Sequence, residues 1–453
     1  MDSQSVITRA ITVAGGRYAP GHLGELTQLV PFEMVDQALL ATRATQSRLR
    51  DLPSRVVVYL LLAAGLFPDV GYPGVWRKLT AALAGIPTAT PTPGALAQAR
   101  RRVGTAPLRW LFDLLRGPAA TIGGRGTWWR GLLVCAIDGT TLTVPDTPTI
   151  GTRFTKHAGH HGGTGYPQVR LVALVACGTR TLIDAVFGPT TTGETTYTPQ
   201  LLRSLRAGMI LLADRNFGAK DLLADIAATG AHVLVRLKND RKIPILARYP
   251  DGSYLSTLGA LRVRIVECEI TISTTAGRHT GVYRLATTLL DHHRYPAAEL
   301  IRLYHERWEI ETAYLELKSS ILGGRVLRAR TPTGVLQEIY ALLVVYQLLR
   351  TAIADATSTR TDTDPDRASF SIAWQAARDQ LIQAAGVITD TVIDLVGTIG
   401  RHVLANLIPA RRLRVCPRIV KRAISKYQAR GPNIDRTSYK ATLNINILAG
   451  ASP

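Results

Sequence analysis

The chain has 453 residues, 46% of them hydrophobic, and 54 lysines and arginines against 33 aspartates and glutamates give a net charge of +21. This apolar content excludes disorder as the main state, and at about 150 residues per domain the length predicts roughly three structural units. The longest apolar run, residues 56–67, is shorter than the roughly 18 residues of a membrane-spanning helix, and the first residues lack the pattern of a signal peptide. The four cysteines lie far apart with no Cys-x-x-Cys pair, which predicts neither a disulfide framework nor a zinc site. We therefore expect a cytoplasmic protein.

The positive charge is concentrated towards the carboxyl terminus. Residues 411–440 contain ten basic side chains and one acid, Asp435. Positive charge attracts polyanions, and nucleic acid is the commonest large polyanion of a cytoplasm. Contact with nucleic acid is one interpretation of this stretch, and a solvated basic helix or tail is the other.

Residues 20–120 are predicted to be helical. Apolar periodicity runs through residues 31–49, Pro53-Ser54 marks the start of a second helix, and residues 95–115 form another. No strand pattern occurs in this part of the sequence, so we expect a helical amino-terminal region.

From Gly131 the sequence changes to short β-rich runs separated by turn residues. Helical stretches at about residues 199–206 and 219–228 lie between them, which predicts a mixed α/β sheet rather than a sandwich. The predicted strands are residues 132–137, 169–176, 182–187, 209–213 and 233–237.

A second β-rich region, residues 239–290, shows alternating polarity and no helical signal, so we interpret it as an insertion. Helical texture returns at residues 296–320 and 333–354. A polar linker, residues 357–367, then leads to a final part that we expect to be helical and basic.

Two aspartates stand where apolar strands end. Asp138 directly follows the strand 132–137, and Asp214 follows the strand 209–213 and opens a turn before a helix. Ligand sites in α/β sheets collect at the carboxyl ends of strands. Taken alone, however, either residue is better explained as a turn or helix-cap aspartate.

A third acid lies on a segment that is predicted to be helical, residues 304–318. At about 100° per residue, Tyr304, Arg307, Glu311 and Lys318 fall within one arc of about 60°. The three other glutamates of this segment point elsewhere. An ordinary amphipathic helix would more often place an apolar stripe there, although a random charged stripe is the alternative.

The four residues on this arc resemble the signature of a known protein family. The spacing Tyr304-x2-Arg307-x3-Glu311-x6-Lys318 matches the Tyr-Arg-Glu-Lys signature of the insertion-sequence-four transposase family. The likeness covers most of the chain up to about residue 355, beyond which only the general character matches. The other similar segments are Ile137-Asp138-Gly139-Thr140, Leu212-Ala213-Asp214-Arg215-Asn216-Phe217, the β-rich insertion and the amino-terminal His22-Leu23-Gly24-Glu25-Leu26-Thr27.

The resemblance implies an α/β fold, namely a ribonuclease-H-like mixed sheet with helices on both faces, interrupted by a β-rich insertion and accompanied by helical amino- and carboxyl-terminal parts. The implied domains are a helical DNA-binding domain (1–125), a catalytic core (126–238 and 291–355), the insertion (239–290) and a helical basic region (356–453).

The implied activity is that of a transposase. The protein would bind the terminal inverted repeats of its element, hydrolyse DNA at the element end and join the 3′-hydroxyl to target DNA. Asp138, Asp214 and Glu311 would be the catalytic residues and would coordinate two Mg²⁺ or Mn²⁺ ions, because two-metal phosphodiester cleavage requires several carboxylate oxygens. The implied partners are DNA and a second copy of the chain, as a homodimer on paired ends, and the implied location is the nucleoid.

Six residues are implied DNA contacts. Arg307 would hold a phosphate as a planar fork and Lys318 as a point charge. Tyr304 would pack against the bound DNA end. The remaining three, expected on the DNA backbone, are Arg325, Arg328 and Arg330.

Three neighbouring features receive other interpretations. We expect Trp308, next to the signature, to be a packed core residue. His157, His160 and His161 lie in a glycine-rich stretch that fits a mobile loop better than a metal or DNA site. Glu194 lies in a segment that resembles a family loop, and the sequence assigns it no role.

Two other functions stay open at this point. A nuclease or resolvase on the same fold would cut DNA without joining it, and a catalytically silent relative would only bind DNA. The intact set of acids argues against the silent form.

Overall fold

The structure is a computed structural model, and it describes residues 10–12, 16–48, 50–81, 83, 87–119, 124, 126–156, 165–275, 277–360, 363–383, 397–409, 414–415 and 439–448. Predictions that fall on His157, His160, His161 and most of residues 411–440 lie outside this part of the chain. Two compact units are formed. The helical unit contains Met1–Ala119, Leu142–Phe154 and Ala313–Ile408, and the sheet unit contains Ala120–Thr141, Thr155–Thr312 and Pro409–Pro453.

The strands of the described chain agree closely with those predicted for the core. In chain order they are β1 Ala10–Thr12, β2 Tyr18–Pro20, β3 Trp128–Trp129, β4 Leu132–Thr143, β5 Gln168–Ala176, β6 Leu182–Pro189, β7 Met209–Ala213, β8 His232–Leu237, β9 Ala247–Arg248, β10 Tyr254–Leu258, β11 Leu261–Thr274, β12 Gly277–Thr287, β13 Arg414–Val415 and β14 Tyr439–Ile447.

The helices follow the same order. They are α1 Phe32–Ala41, α2 Ser54–Leu66, α3 Tyr72–Thr80, α4 Pro93–Val103, α5 Ala106–Leu115, α6 Pro148–Gly151, α7 Glu194–Tyr197, α8 Lys220–Ala228, α9 Ala297–Tyr304, α10 Trp308–Leu315, α11 Pro332–Ser358, α12 Phe370–Gln383 and α13 Thr398–Ala405. Shorter 3₁₀ segments include Thr198–Ser204 and His305–Arg307, and a π-helical turn covers Glu316–Ile321.

The core of the sheet has a ribonuclease-H-like topology, which confirms the predicted fold class. Its strands lie in the order β6-β5-β4-β7-β8. β7 is parallel to both β4 and β8, whereas β5 and β6 are antiparallel. Parallel strands are covered on both faces and therefore consist of continuous apolar runs. Every residue of β7 is buried, and α8 and α9 both pack against β8.

The predicted insertion extends the core sheet. Its described residues between Asn239 and Leu290 contain strands and no helix, as the alternating sequence predicts. β11 and β12 form a long antiparallel hairpin, and β12 then pairs with β8 through Arg284 and Leu237. The insertion is thus joined to the core by backbone hydrogen bonds.

The prediction that the carboxyl-terminal region is helical is wrong for its last described part. β14 pairs antiparallel with β11, with Cys268 opposite Ile447. The alternation of apolar residues at 441, 443, 445 and 447 is typical of a strand, but the abundance of basic residues before it concealed this signal.

Two amino-terminal helices differ from their predicted lengths. The helix predicted for residues 31–49 ends at Ala41. The helix predicted for residues 95–115 is divided at Gly104, whose φ of 69° ends α4 before α5 begins. Glycine adopts this left-handed conformation without steric strain.

The helical unit joins segments from both ends of the chain. The Glu25 carboxylate accepts hydrogen bonds from the backbone N–H groups of Gly397 and Ile399 and from the Gln380 amide, at 2.8–3.0 Å. α11, at the centre of this unit, is long and apolar enough to cross a bilayer, but 72% of its apolar window is buried. This burial is typical of a core helix. The predicted domain bounds stay a prediction.

Candidate active site

Two adjacent parallel strands position Asp138 and Asp214. Leu133 of β4 lies opposite Met209 of β7, and this register continues to Ala136 and Leu212. Asp138 lies two residues after Ala136 on β4, and Asp214 lies two residues after Leu212, directly beyond the end of β7. Residues two positions apart on a strand point to the same face, which explains why the Asp214 charge acts on the Asp138 carboxyl.

The structure corrects the local setting of Asp138. β4 does not end before this residue but continues to Thr143, and its burial decreases from Asp138 onward. Asp138 therefore lies where the buried part of the strand emerges. Its Oδ1 accepts a hydrogen bond from the Gly139 N–H at 2.8 Å. Asp214 precedes the 3₁₀ turn Arg215–Phe217 and caps it, with Oδ1 accepting from the Asn216 N–H at 2.8 Å.

The signature segment is not the single straight helix that the sequence predicts. α9 ends at Tyr304, a 3₁₀ turn covers His305–Arg307, and α10 is followed by the π-helical turn that contains Lys318. The angular argument at a constant 100° per residue therefore does not hold over the whole segment. Its conclusion for Arg307 and Glu311 does hold, because the Arg307 Nη2 lies 3.3 Å from the Glu311 Oε1.

Arg307 also reaches the first aspartate. Its Nη1 lies 3.8 Å from the Asp138 Oδ2, so one guanidinium lies beside two acids of the site. The arginine side chain is 10% exposed, whereas that of Glu311 is 42% exposed. The Arg307 Nε is buried and has no hydrogen-bond partner within the described residues. The site thus keeps an unused donor next to its carboxylates.

Two neighbouring glutamates have structural roles. Glu309 is fully buried and pairs with Arg180 at 2.6 Å. Glu316 is buried and accepts hydrogen bonds from Arg350 and from the Tyr346 hydroxyl. Glu311 therefore differs from both in being exposed and in facing Arg307.

The Asp138 carboxyl has a strongly perturbed pKa. Burial raises its pKa to about 7, and the nearby Asp214 and Glu194 charges act in the same direction, while the Gly139 N–H and Arg307 oppose them. For Arg307, burial disfavours the charge, but Tyr304, Asp138 and the other acids raise the pKa of the guanidinium overall. A buried carboxyl beside other acids in one site is typical of functional positions.

Tyr304 is buried at the end of β7. Its hydroxyl donates to the Ala213 carbonyl at 3.1 Å, directly before Asp214. Burial raises the pKa of this phenol to about 12, so it stays protonated at neutral pH. In this structure Tyr304 connects α9 to the strand that carries the second aspartate.

The other expected DNA contacts lie in the helical unit and have different surroundings. Arg325 and Arg330 are exposed, and Lys318 is half-buried in its π-helical turn. Arg328 is bound to Glu338 at 2.9 Å and donates to the carbonyls of Ala64, Phe67 and Val70. Its guanidinium is thus already hydrogen-bonded to Glu338 and to backbone carbonyl groups at the end of α2.

The expectation that Trp308 is a core residue is wrong. Its side chain is 47% exposed, and the Arg307 guanidinium carbon lies 5.0 Å from its ring centroid. The expectation followed the general tendency of tryptophan to be buried, whereas this ring lies beside the Arg307 guanidinium at the surface.

Two features near the aspartates were not predicted. Glu194 lies against Gly139. In addition, a cavity of about 350 Å³ opens after β8, where the Arg236 Nε is buried without a hydrogen-bond partner among the described residues. Applying the rule for carboxyl ends of strands to β8 as well as β4 and β7 would have indicated this cavity. It is lined by Arg215, Arg236, Leu237, Lys238, Asn239 and Asp240.

The donor atoms fit a divalent cation in their chemistry. Carboxylates supply only oxygen ligands, which Mg²⁺ and Mn²⁺ prefer, and a cation would stabilise the ionised form of the buried Asp138. Within the described part of the chain, however, no three acidic, histidine or cysteine side chains lie close enough together to hold an ion. Asp138 lies on β4 and Asp214 follows the adjacent parallel strand β7, while Glu311 is paired with Arg307.

Two protein-family models match this chain. Residues 20–113 match the family described as insertion element 4 transposase N-terminal, and residues 129–348 match the transposase DDE domain. The second match contains both aspartates, the insertion and the signature.

Two relatives from Escherichia coli (strain K12) are similar to this chain. The transposase InsG for insertion sequence element IS4 is 26% identical over 408 residues, which cover 87% of this chain and 91% of the relative. The putative transposase InsZ is 30% identical over 204 residues, which cover 45% of this chain and 67% of that relative.

Among solved structures, a cryo-EM structure of a piggyBac transposase synaptic complex with hairpin DNA is distantly similar. It has a TM-score of 0.41 and 10% identity, covering 83% of this chain and 82% of that chain. This likeness is too weak to bear on the fold or the site. On the family matches and the two relatives, the chain belongs to the insertion-sequence-four transposases, enzymes that catalyse DNA transposition.

Proposed function

We propose that this transposase binds the terminal inverted repeats of its insertion element and catalyses metal-dependent strand cleavage and strand transfer through Asp138, Asp214 and Glu311. The observation that carries the proposal is that Asp138 of β4 and Asp214, which follows the adjacent parallel strand β7, lie close enough for their charges to interact, with Arg307 beside Asp138 and Glu311. A member of this family with all three acids in one unit has the groups that phosphoryl transfer requires.

The DDE domain implies dependence on a divalent metal. Asp138, Asp214 and Glu311 would hold the metal, and we propose two Mg²⁺ or Mn²⁺ ions. Bound ions would activate an attacking oxygen and stabilise a leaving oxygen. The protein itself would hold the carboxylates in place through two backbone hydrogen bonds. The Gly139 N–H donates to Asp138, and the Asn216 N–H donates to Asp214.

DNA contact is proposed for residues on both units. In the sheet unit, the proposed contacts are Arg307, Trp308, whose ring is exposed, and Arg236, which lines a basic cavity after β8. In the helical unit, Lys318, Arg325 and Arg330 would hold backbone phosphates. Tyr304 and Arg328 would instead stabilise the fold, since their polar groups already have hydrogen-bond or ion-pair partners.

The remaining partners and the location follow from the same proposal. Joining needs paired DNA ends, so we propose a homodimer assembled on element ends and target DNA. We also propose that the protein acts in the cytoplasm, associated with the nucleoid, where its DNA substrate would lie. The net charge of +21 favours binding to a polyanion.

One experiment tests the proposed function against its alternatives. The purified chain is incubated with Mg²⁺, target plasmid and DNA that carries the terminal repeats flanking its gene. We expect cleavage at the repeat ends followed by insertion into the plasmid. Cleavage without insertion would indicate a nuclease or resolvase, and binding without cleavage a silent relative. DNA with scrambled repeats is the control.

A further inference from the structure

Glu194 contacts the backbone next to Asp138. A Cβ atom added to Gly139 would lie 2.4 Å from both Cδ and Oε1 of Glu194. Gly139 is not among the described glycines with positive φ, so its conformation does not by itself require glycine. A side chain at this position would have to displace the Glu194 carboxylate.

The glutamate is held in this place by the neighbouring strand. The Arg170 Nη1, on β5, lies 2.9 Å from the Glu194 Oε1, and the two side chains are 19% and 22% exposed. The Arg170 Nη2 also donates to the Thr190 carbonyl at 3.4 Å. On the other side, the Thr198 hydroxyl donates to the Glu194 carbonyl at 2.9 Å and fixes the start of α7.

The contact continues to the aspartate through one peptide group. The Gly139 N–H donates to the Asp138 Oδ1 at 2.8 Å, so the orientation of that carboxylate depends on where the Gly139 peptide lies. We propose that Glu194 is a positioning residue of the active site, which packs on Gly139, is clamped by Arg170 and thereby orients the Asp138 carboxylate. The inference rests on the proposed function, because it takes Asp138 as a metal ligand.

A metal-binding measurement tests this role without relying on activity. Mn²⁺ binding to the full chain is measured by calorimetry, together with a thermal melt of each variant. Because Glu194→Ala removes the packing on Gly139, we expect it to weaken Mn²⁺ binding about tenfold, the range for residues that orient a metal ligand. Glu194→Gln fills the same space and can still accept from Arg170, so its affinity should stay within about twofold of the original chain.

A matched control comes from the insertion. Glu267 is similarly shielded, at 17% exposed, and its described partners, Arg284 and the Tyr254 hydroxyl, both lie in the insertion. Glu267→Ala should leave Mn²⁺ affinity unchanged. Wild-type affinity in folded Glu194→Ala would contradict the inference. Equal losses in Glu194→Ala and Glu194→Gln would also contradict it, because they would show an effect of charge rather than of packing.

Gly139→Ala provides a second test if Glu194→Ala does not fold. The added methyl group would displace the Glu194 carboxylate from Gly139, so Mn²⁺ binding should weaken, and unchanged affinity would refute the positioning role. If Glu194→Ala does fold, the double variant should bind Mn²⁺ more tightly than Gly139→Ala alone. Asp138→Asn separates the two proposals. If this variant binds Mn²⁺ as well as the original chain does, the proposed function is rejected as well. If Asp138→Asn loses Mn²⁺ binding while Glu194→Ala binds normally, only this inference is rejected.

Discussion

The Arg307 guanidinium lies 3.3 Å from the Glu311 carboxylate, one helical turn further along the chain. This ion pair joins the second and third residues of the family signature, and it forms across the junction of a 3₁₀ turn and α10. The third acid of the site is thus balanced by a cation from its own segment. If Arg307 binds DNA, its guanidinium must contact a phosphate in addition to this carboxylate or in place of it.

The salt dependence of DNA binding distinguishes these roles of Arg307. Arg307→Gln should weaken binding to an element end and lower the slope of log K against log salt by about one, because one phosphate contact releases about one counterion. Lys318→Gln should behave in the same way. Binding is measured by fluorescence anisotropy from low to moderate salt. A slope unchanged by Arg307→Gln would mean that the arginine stays paired with Glu311 on DNA.

Removing any one of the three acids should abolish chemistry while leaving DNA binding largely intact. Asp138→Ala, Asp214→Ala and Glu311→Ala should each eliminate cleavage and joining, and double variants should be no worse, because the metal site fails as a unit. Glu309→Gln is a contrasting variant, since it breaks a buried ion pair and should lower stability instead. Cleavage by Glu311→Gln at near wild-type rates would remove this residue from the site.

The metal requirement follows from the type of ligand. Three carboxylates provide only oxygen atoms, so Mg²⁺ and Mn²⁺ should support cleavage, and EDTA should stop it while sparing DNA binding. Ca²⁺ is larger and tolerates irregular coordination, so it should support assembly on DNA but not cleavage. Parallel reactions on one substrate test these expectations. Efficient cutting in EDTA would be incompatible with the three-acid mechanism.

The stability of the metal-free protein should fall as pH rises through the region where Asp138 ionises. The pKa of this carboxyl is about 7 in the folded state and 3.8 as its ordinary value, so the folded state binds the proton more tightly. The free energy of unfolding should therefore decrease between about pH 4 and 7 and then level off.

Asp138→Asn should remove this penalty. At pH 8 in EDTA we expect the variant to be more stable than the original chain by up to a few kcal/mol, with the difference shrinking towards zero near pH 4. Urea denaturation at several pH values measures both curves. Asp138→Asn curves that run parallel to those of the original chain would contradict the assignment.

Three arginines close together in sequence should differ in effect. Arg328→Ala leaves Glu338 and three carbonyls of the helical unit without this donor, so it should lower the free energy of unfolding by about 2–4 kcal/mol. Arg325→Ala and Arg330→Ala remove exposed side chains and should leave stability within about 0.5 kcal/mol while weakening DNA binding. Urea denaturation and anisotropy on the three variants separate the two roles. Equal effects of all three on DNA affinity, without loss of stability, would favour a shared DNA surface.

The sequence by itself determined the core strands and the two aspartates. β7 was predicted with its observed bounds, and the position of Asp138 followed from the apolar run before it. These predictions succeed because burial on both faces of a parallel sheet demands continuous apolar residues, and the chain shows this pattern without reference to distant segments. The signature spacing added Glu311 because Arg307 and Glu311 are one turn apart, and a local turn needs no tertiary contact to bring them together.

Only the tertiary structure decided which polar residues share the site and which support the fold. Arg328 and Arg330 are two residues apart and chemically identical, yet one is bound to the end of α2 and the other is exposed. Glu194 reaches Gly139 across strands that lie far apart in sequence. The surroundings of these side chains depend on strand register, on the 3₁₀ and π turns around α10 and on contacts between distant segments. The periodicity of apolar residues along the sequence contains none of this information.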